Sequence, residues 1–307
     1  MKSLTTTEQA ILLTGVTGYI GPHVALDLLK RGYRVGALVR DPSKVSPHLL
    51  SAGLKIFQIE QTFDSISAAI ASFRPTSCIH LSTLFKAAHA PADIGPLIES
   101  NLTFSTLLVE ALVREKVRNF LNVGTIWQHY ESKAYSPVCL YAACKQAFED
   151  ILQYYSETTD DFSVLNLKLY DSYGPNDARK KLIPFLIESA KTGKRFQTTN
   201  GESLIDLVHI DDITEGFYQA HTLLAKSKKN SWESFTLKTG NPKTLKEIIL
   251  LVQKIAPQPF EIEWNKFSTR PREMMTPWNH DPVLPGWQPK FDIESGLKQV
   301  LAAPTLL

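Results

Sequence analysis

The chain has 307 residues, 43% hydrophobic and 21% charged, with 33 basic against 31 acidic side chains and a formal net charge of +2. That apolar content excludes intrinsic disorder, and the length suits one large domain or a large domain carrying a smaller lobe. No long run of Lys or Arg supplies the footprint expected for nucleic acid or an anionic membrane, so the expected partner is a small molecule.

Cys78, Cys139 and Cys144 form neither a CxxC pair nor an even-numbered framework, which argues against structural zinc and a secreted disulfide scaffold. No His, Cys or carboxylate grouping has metal-ligand spacing. The first ten residues lack an apolar leader segment, and no stretch approaches the roughly 20 uncharged apolar residues of a membrane span. A cytoplasmic location is expected.

Ile11 to Leu13 is a short apolar run that enters Thr14-Gly-Val-Thr-Gly-Tyr-Ile-Gly21, and Val24, Leu26, Leu28 and Leu29 continue as the apolar face of a helix ending near Gly32. Tyr33 to Val39 reads as a second strand, followed by a turn from Arg40 to Lys44. Further strands are predicted at Lys55 to Ile59, Ser77 to Leu81, Phe120 to Val123 and Ser163 to Leu169, with helices at Leu97 to Arg114 and Leu140 to Tyr155. This alternation predicts an α/β fold, a doubly wound parallel sheet of the Rossmann type covered on both faces. After Tyr170 the chain leaves the sheet through Gly174-Pro175, a basic stretch at Arg179 to Lys181 and a helix from Ile183 to Lys191. It returns at Leu204 to Ile210. The proline-rich tail is expected to hold short elements and loops. The reading is a dinucleotide-binding domain over 1–170 with a return segment at 204–229, and a smaller, discontinuous substrate-binding lobe over 171–203 and 230–307.

Gly15, Gly18 and Gly21 follow a strand and open a helix. Backbone there approaches a pyrophosphate closely, and the helix N-terminus offers free N–H groups to phosphate. Thr17, Tyr19 and Ile20 share the loop and are expected beside the cofactor. At the end of the second strand an acidic residue accepts from the adenosine ribose, whereas an arginine pairs with a 2′-phosphate. Arg40 stands there, with Lys44 as a second cation, and favours NADPH over NADH; the alternative is a solvated surface arginine. Asp41 leads into Pro42 and is read as a turn initiator. Tyr141 and Lys145 are four apart on a helix and share a face. A neighbouring ammonium and a positive nicotinamide ring are expected to bring the tyrosine towards a working pKa. Thr125, at the end of a strand, is placed to hydrogen-bond the reacting oxygen.

With these motifs in this order the chain resembles the extended short-chain dehydrogenase/reductase family over nearly its whole length. The matching pieces are the glycine segment, His80-Leu81, Asn101, Thr125, Tyr141 with Lys145, Tyr173-Gly-Pro175 and His209-Ile-Asp-Asp212. The run ending at Tyr173-Gly-Pro175 and the tail around Arg272-Glu-Met-Met275 and Gly286 to Asp292 are similar to the CDP-abequose and CDP-paratose synthases. The resemblance implies an NADPH-dependent reductase of the 4-keto group of a nucleotide-linked deoxyhexulose. Thr125 and Tyr141 hold the C4 oxygen, Tyr141 donates the proton, and Lys145 binds the nicotinamide ribose. Leu81 lies beside the cofactor, Trp127 and Gln128 line the sugar pocket, and Lys181 approaches the nucleotide. It also implies a homodimer paired through long helices.

Two departures stand out. Where the family places an arginine against the substrate diphosphate this chain has Ile205, which leaves Arg270 and Arg272 for that contact. Asp171 and Ser172 replace the usual asparagine before Tyr173. Alternatives stay open: an NAD-retaining nucleotide-sugar 4-epimerase, a reductase of a non-sugar carbonyl compound, and a non-catalytic relative, against which Tyr141 and Lys145 speak. A dehydratase is disfavoured by Ile126 and Trp127, where an acidic pair is usual. His129 is read as a surface loop residue.

Overall fold

The computed structural model describes residues 9–303; residues 1–8, on which the expectation about a leader segment falls, and 304–307 lie outside the described residues. In chain order the first elements are β1 (Ala10–Thr14), α1 (Ile20–Lys30), β2 (Arg34–Val39), α2 (Pro47–Ser51), β3 (Lys55–Gln58), α3 (Phe63–Phe73), β4 (Ser77–His80), α4 (Pro91–Ile98), α5 (Phe104–Arg114), β5 (Asn119–Thr125), α6 (Leu140–Thr158) and β6 (Ser163–Leu169). The rest are β7 (Asp171–Tyr173), α7 (Leu182–Thr192), β8 (Phe196–Gln197), β9 (Leu204–Ile205), β10 (Leu207–His209), α8 (Ile210–Leu224), β11 (Trp232–Leu237), β12 (Lys243–Thr244), α9 (Leu245–Ile255), β13 (Ile262–Glu263) and α10 (Ile293–Ala302).

Seven strands form a parallel sheet in the order β11-β6-β5-β4-β1-β2-β3. Strand β1 shows why its sequence is apolar without interruption. Successive side chains of a strand point to opposite faces. Ile11 and Leu13 enter the core under α1 and α8, while Ala10 and Leu12 enter the core under α3, α5 and α6. A strand buried on both faces has no solvent side to mark with polar residues.

The chain departs from the sequence reading in three places. First, Leu204 to Ile210 does not rejoin the large sheet: β9 pairs with β12 and β10 with β7. Asp206 interrupts the run because its buried carboxylate accepts from the N–H groups of Thr239 and Gly240 and the Thr239 hydroxyl. Second, the seventh strand of the sheet is β11, paired with β6. It is an edge strand with an exposed start, so its residues carry none of the apolar density of β1. Third, the tail holds two helices. Helix α9 begins at a capping box in which Thr244 and Glu247 satisfy each other's backbone N–H, and Asp292 caps α10. With α7 they enclose the core of the lobe around Leu186, Ile248, Ile249 and Leu297. Among the described residues, no helix is long and apolar enough to cross a membrane.

Candidate active site

The order of the sheet reverses between β1 and β4, and loops leaving the C-terminal ends of such neighbours open a crevice. Here those loops touch. Gly15 takes a φ of +78°, and a β-carbon on it would lie 2.7 Å from both Leu81 C and Ser82 N. A β-carbon at Gly21 would collide with Gly15 O, so helix α1 can start directly against the loop. The bare backbone and the free N–H groups of the first turn of α1 form a cradle that fits a pyrophosphate. Thr17 and Gly18 are exposed at its rim, whereas Tyr19 and Ile20 are half-buried. Ile20 packs on the core. Tyr19 turns toward the segment after β7, donating to Pro175 O at 3.3 Å with the Arg179 guanidinium 4.3 Å from its ring.

Below the crevice, Ser82 N–H donates to Thr14 Oγ1 at 3.0 Å, and His80 bonds Thr14 Oγ1 at 2.8 Å and Ser105 Oγ at 2.9 Å. His80 thus joins side chains across β1, β4 and α5. Burial pushes its imidazole down to about 3, so it stays neutral. At the end of β2, Arg40 is exposed, and its side chain makes no hydrogen bond or ion pair with the described residues. Asp41 caps the following turn through Ser43 and pairs with Lys44 at 3.6 Å.

Thr125 ends β5, and its hydroxyl accepts from Trp127 N–H at 3.3 Å. Tyr141 and Lys145 lie on the first turns of α6. The Tyr141 phenol is pushed up by burial, with the Thr83 hydroxyl as the opposing hydrogen-bond partner; Lys145 is not among the groups that act on it. The lowered tyrosine expected from the sequence is therefore not found in the protein alone, because loss of water around the phenolate raises it and no ammonium acts on it in return. Burial lowers Lys145 to about 8, against Glu149.

Around this centre runs a collar of rings. Phe85 stands edge-on to Tyr141 at 5.1 Å and to Trp127 at 5.3 Å. Each outer ring carries a cation, with Lys181 Nζ 5.1 Å from the Phe85 ring and the Arg270 guanidinium 5.1 Å from the Trp127 ring. Arg270 is held by Glu273 through two hydrogen bonds of 2.6 and 2.8 Å. Asp171 sits beside these cations, its carboxyl pushed up by burial against Lys181, Arg179 and Arg270. Ile205 packs into the lobe core and pairs with Lys243.

Three residues lie elsewhere than the sequence places them. Gln128 is fully buried; its Oε1 accepts from Thr125 N–H at 2.9 Å, and its Nε2 donates to Gln146 and Glu149 at 2.8 and 2.9 Å, so the amide faces inward and not the sugar pocket. Arg272 braces the loop before α6, donating to Pro137 O and Ser136 Oγ. His129 is buried, not a surface residue: it accepts from Lys168 Nζ at 2.9 Å and stacks on Trp278 at 4.1 Å. Sequence reasoning missed Phe85 and Thr83, which sit in a stretch without a motif. It also missed Glu149, although the spacing Tyr141, Lys145, Glu149 continues one helical face. A separate cavity of about 260 Å³ between α1 and α8, lined in part by His23, Asp211 and Lys290, contains none of the catalytic candidates. Among the described residues no group of three or more His, Cys, Asp or Glu is placed to hold a metal ion.

The family model described as the NAD dependent epimerase/dehydratase family matches residues 11–232. CDP-abequose synthase of Salmonella muenchen is 27% identical over 300 residues, covering 96% of this chain and 98% of that protein. Among solved structures, the UDP-glucose 4-epimerase of Thermus thermophilus in complex with NAD superposes with a TM-score of 0.80 at 22% identity, covering 95% of this chain and 98% of the other. The UDP-glucose 4-epimerase of Thermotoga maritima with UDP-glucose gives 0.82 at 20% identity, covering 95% and 97%.

Proposed function

Because the chain belongs to the NAD dependent epimerase/dehydratase family, and is an NAD(P)-dependent oxidoreductase of the extended short-chain type related to nucleotide-sugar enzymes, we propose that it uses NADPH to reduce the 4-keto group of a nucleotide-linked deoxyhexulose. The observation that carries this reading is the layering of the site. Phe85 stands against both the proton donor Tyr141 and Trp127, and Lys181 and Arg270 each lie over one of the two rings Phe85 and Trp127. That order matches a molecule with a carbonyl at one end, a sparsely hydroxylated ring next and a diphosphate beyond. Arg270 takes the phosphate role that Ile205 does not fill. Both cations come from outside the seven-stranded sheet, Lys181 from the residue before α7 and Arg270 from the segment after β13.

The glycine cradle would hold NADPH and Arg40 its 2′-phosphate, and the cofactor would supply a hydride to C4. Tyr141 gives its proton to the C4 oxygen, and Thr125 hydrogen-bonds the same oxygen as charge develops there. Lys145 would hold the nicotinamide ribose. The raised phenol suits this direction, since a donor must be protonated before it acts.

The test is NADPH oxidation with a panel of 4-keto nucleotide sugars and free ketones. Turnover with the nucleotide sugars supports the reading; turnover with free ketones alone moves the protein to a different substrate class. The similarity to UDP-glucose 4-epimerases sustains a second reading with the same three residues. Tightly bound NAD in the purified protein, with sugar epimerised and no net NADPH consumed, would establish it. The reading also expects a cytoplasmic homodimer paired through long helices, one of them α6, where Tyr154 is 61% exposed; a monomeric mass by light scattering contradicts the pairing.

A further inference from the structure

Glu149 is a carboxylate in a place where a lone charge is costly. It is 6% exposed, and Lys145, one turn earlier on α6, is 4% exposed. A buried carboxylate needs either a proton or partners. The structure provides partners from three elements. Gln128 Nε2 donates to Glu149 Oε1 at 2.9 Å, Asn166 of β6 hydrogen-bonds the same side chain, and the ammonium groups of Lys145 and Lys168 act on it. Strand β5 is cut away to admit it, since a β-carbon on Gly124 would lie 2.8 Å from Glu149 Oε1. The amide of Gln128 that binds Glu149 also accepts from the N–H of Thr125.

We propose that Glu149 is a positioning residue of the site: its carboxylate, tied through Gln128 to the main chain of Thr125, is the counter-charge that keeps Lys145 an ammonium. Lys145 has little else to hold its proton. Around it stand Glu149 and Cys144 on its own helix and the neutral imidazole of His80 on β4. Around Glu149 stand Lys145, Gln128, Asn166 and Lys168, and Lys168 is itself engaged by Asp281 at 2.9 Å and by His129. Removing the charge of Glu149 thus leaves Lys168 its ion pair with Asp281, while Lys145 loses the carboxylate that acts on it. The proposal rests on the functional reading only for its consequence, because the charge of Lys145 is measurable without substrate or cofactor.

The experiment is an NMR titration of the protein labelled at the lysine ε-carbon, with the Lys145 signal assigned by its loss in Lys145→Met. Glu149→Gln, which preserves shape and hydrogen bonding, is expected to lower the Lys145 midpoint by about one pH unit or more, and Glu149→Asp by less. The base-side limb of the pH–rate profile for NADPH oxidation is expected to move down with it, whereas a merely structural role would reduce turnover at every pH alike. Should Glu149→Gln fail to fold, Glu149→Asp decides on its own. A Lys145 midpoint within about 0.3 units of the parent in whichever variant folds overturns the proposal. If the midpoint moves but no keto sugar is reduced, the counter-charge stands and the reductase reading falls.

Discussion

A tyrosine that must give up a proton does so best when it begins as a neutral phenol, and burial secures this for Tyr141. Replacing the hydroxyl and nothing else, Tyr141→Phe is expected to cut kcat for NADPH oxidation by roughly 100- to 10,000-fold while leaving the Kd for NADPH unchanged. An unchanged kcat would move the donor elsewhere. Arg40 permits an equally local test. It is exposed, with no acidic partner among the described residues, since Asp41 is taken by Ser43 and Lys44. A charge-assisted contact to phosphate contributes on the order of 1.5 to 3 kcal/mol. Arg40→Ala should therefore weaken NADPH by roughly tenfold or more, reduce the salt dependence of its binding, and leave NADH untouched. Equal losses for both dinucleotides in a fluorescence titration would show that Arg40 does not read the 2′-phosphate. Both residues were legible in the sequence because a motif fixes their place. Phe85 was not: its role comes from the path of a loop, and nothing local encodes that path.

At the scale of elements, the loop carrying Thr83 and Phe85 is aimed by a turn that the sequence does not announce. Between α4 and α5 the residues Glu99–Thr103 widen into a π-helical turn, an arrangement often found at functional sites. It presents buried Asn101, whose Oδ1 accepts from the Thr83 hydroxyl at 2.6 Å and Leu84 N–H at 3.1 Å while its Nδ2 donates to Leu84 O at 3.0 Å. The sequence predicts one helix from Leu97 to Arg114, because a single wide turn leaves the apolar periodicity on either side almost intact. Asn101→Ala removes three hydrogen bonds and is expected to lower stability by about 1 to 3 kcal/mol. It should also reduce kcat/KM for the sugar more than it weakens NADPH, since Thr83 and Phe85 meet Tyr141, whereas it is Leu81 and Ser82 before them that touch the glycine cradle. A loss confined to NADPH binding would place the loop's role at the cofactor instead. The same physics explains what was readable elsewhere. Strand β1, the glycine turn and α6 carry their signals within a few residues. Strand β11 is instead defined by its partner β6, whose residues lie 68 positions earlier in the chain, as where Ser234 sits opposite Asn166.

Across the whole molecule, the layers are stitched by histidines kept neutral. His80 links β1, β4 and α5, and His221 of α8 bonds Ser77 of β4 at 2.9 Å, so one imidazole lies toward each face of the sheet. Burial lowers His80 to about 3 and His221 to about 4 from an ordinary value of 6.5. As the pH falls below 6.5 the unfolded chain takes up protons at both positions and the folded chain refuses them until those lower values are reached. The stability these groups allow is therefore complete above 6.5 and declines as the pH drops towards 4. Glu149 and Asp171, whose carboxyls are raised, act in the opposite direction, because the folded chain binds their protons first. His129 and His209 are lowered and add to the decline. The expected net loss between pH 7 and 5 is roughly 1 to 4 kcal/mol, a large part of the stability of an ordinary domain. Urea midpoints at the two pH values measure it. His221→Gln keeps a partner for Ser77 but cannot ionise, so its midpoint should fall less than that of the parent between pH 7 and 5. An identical fall in both proteins would mean that the acid sensitivity originates in groups other than the buried histidine of α8.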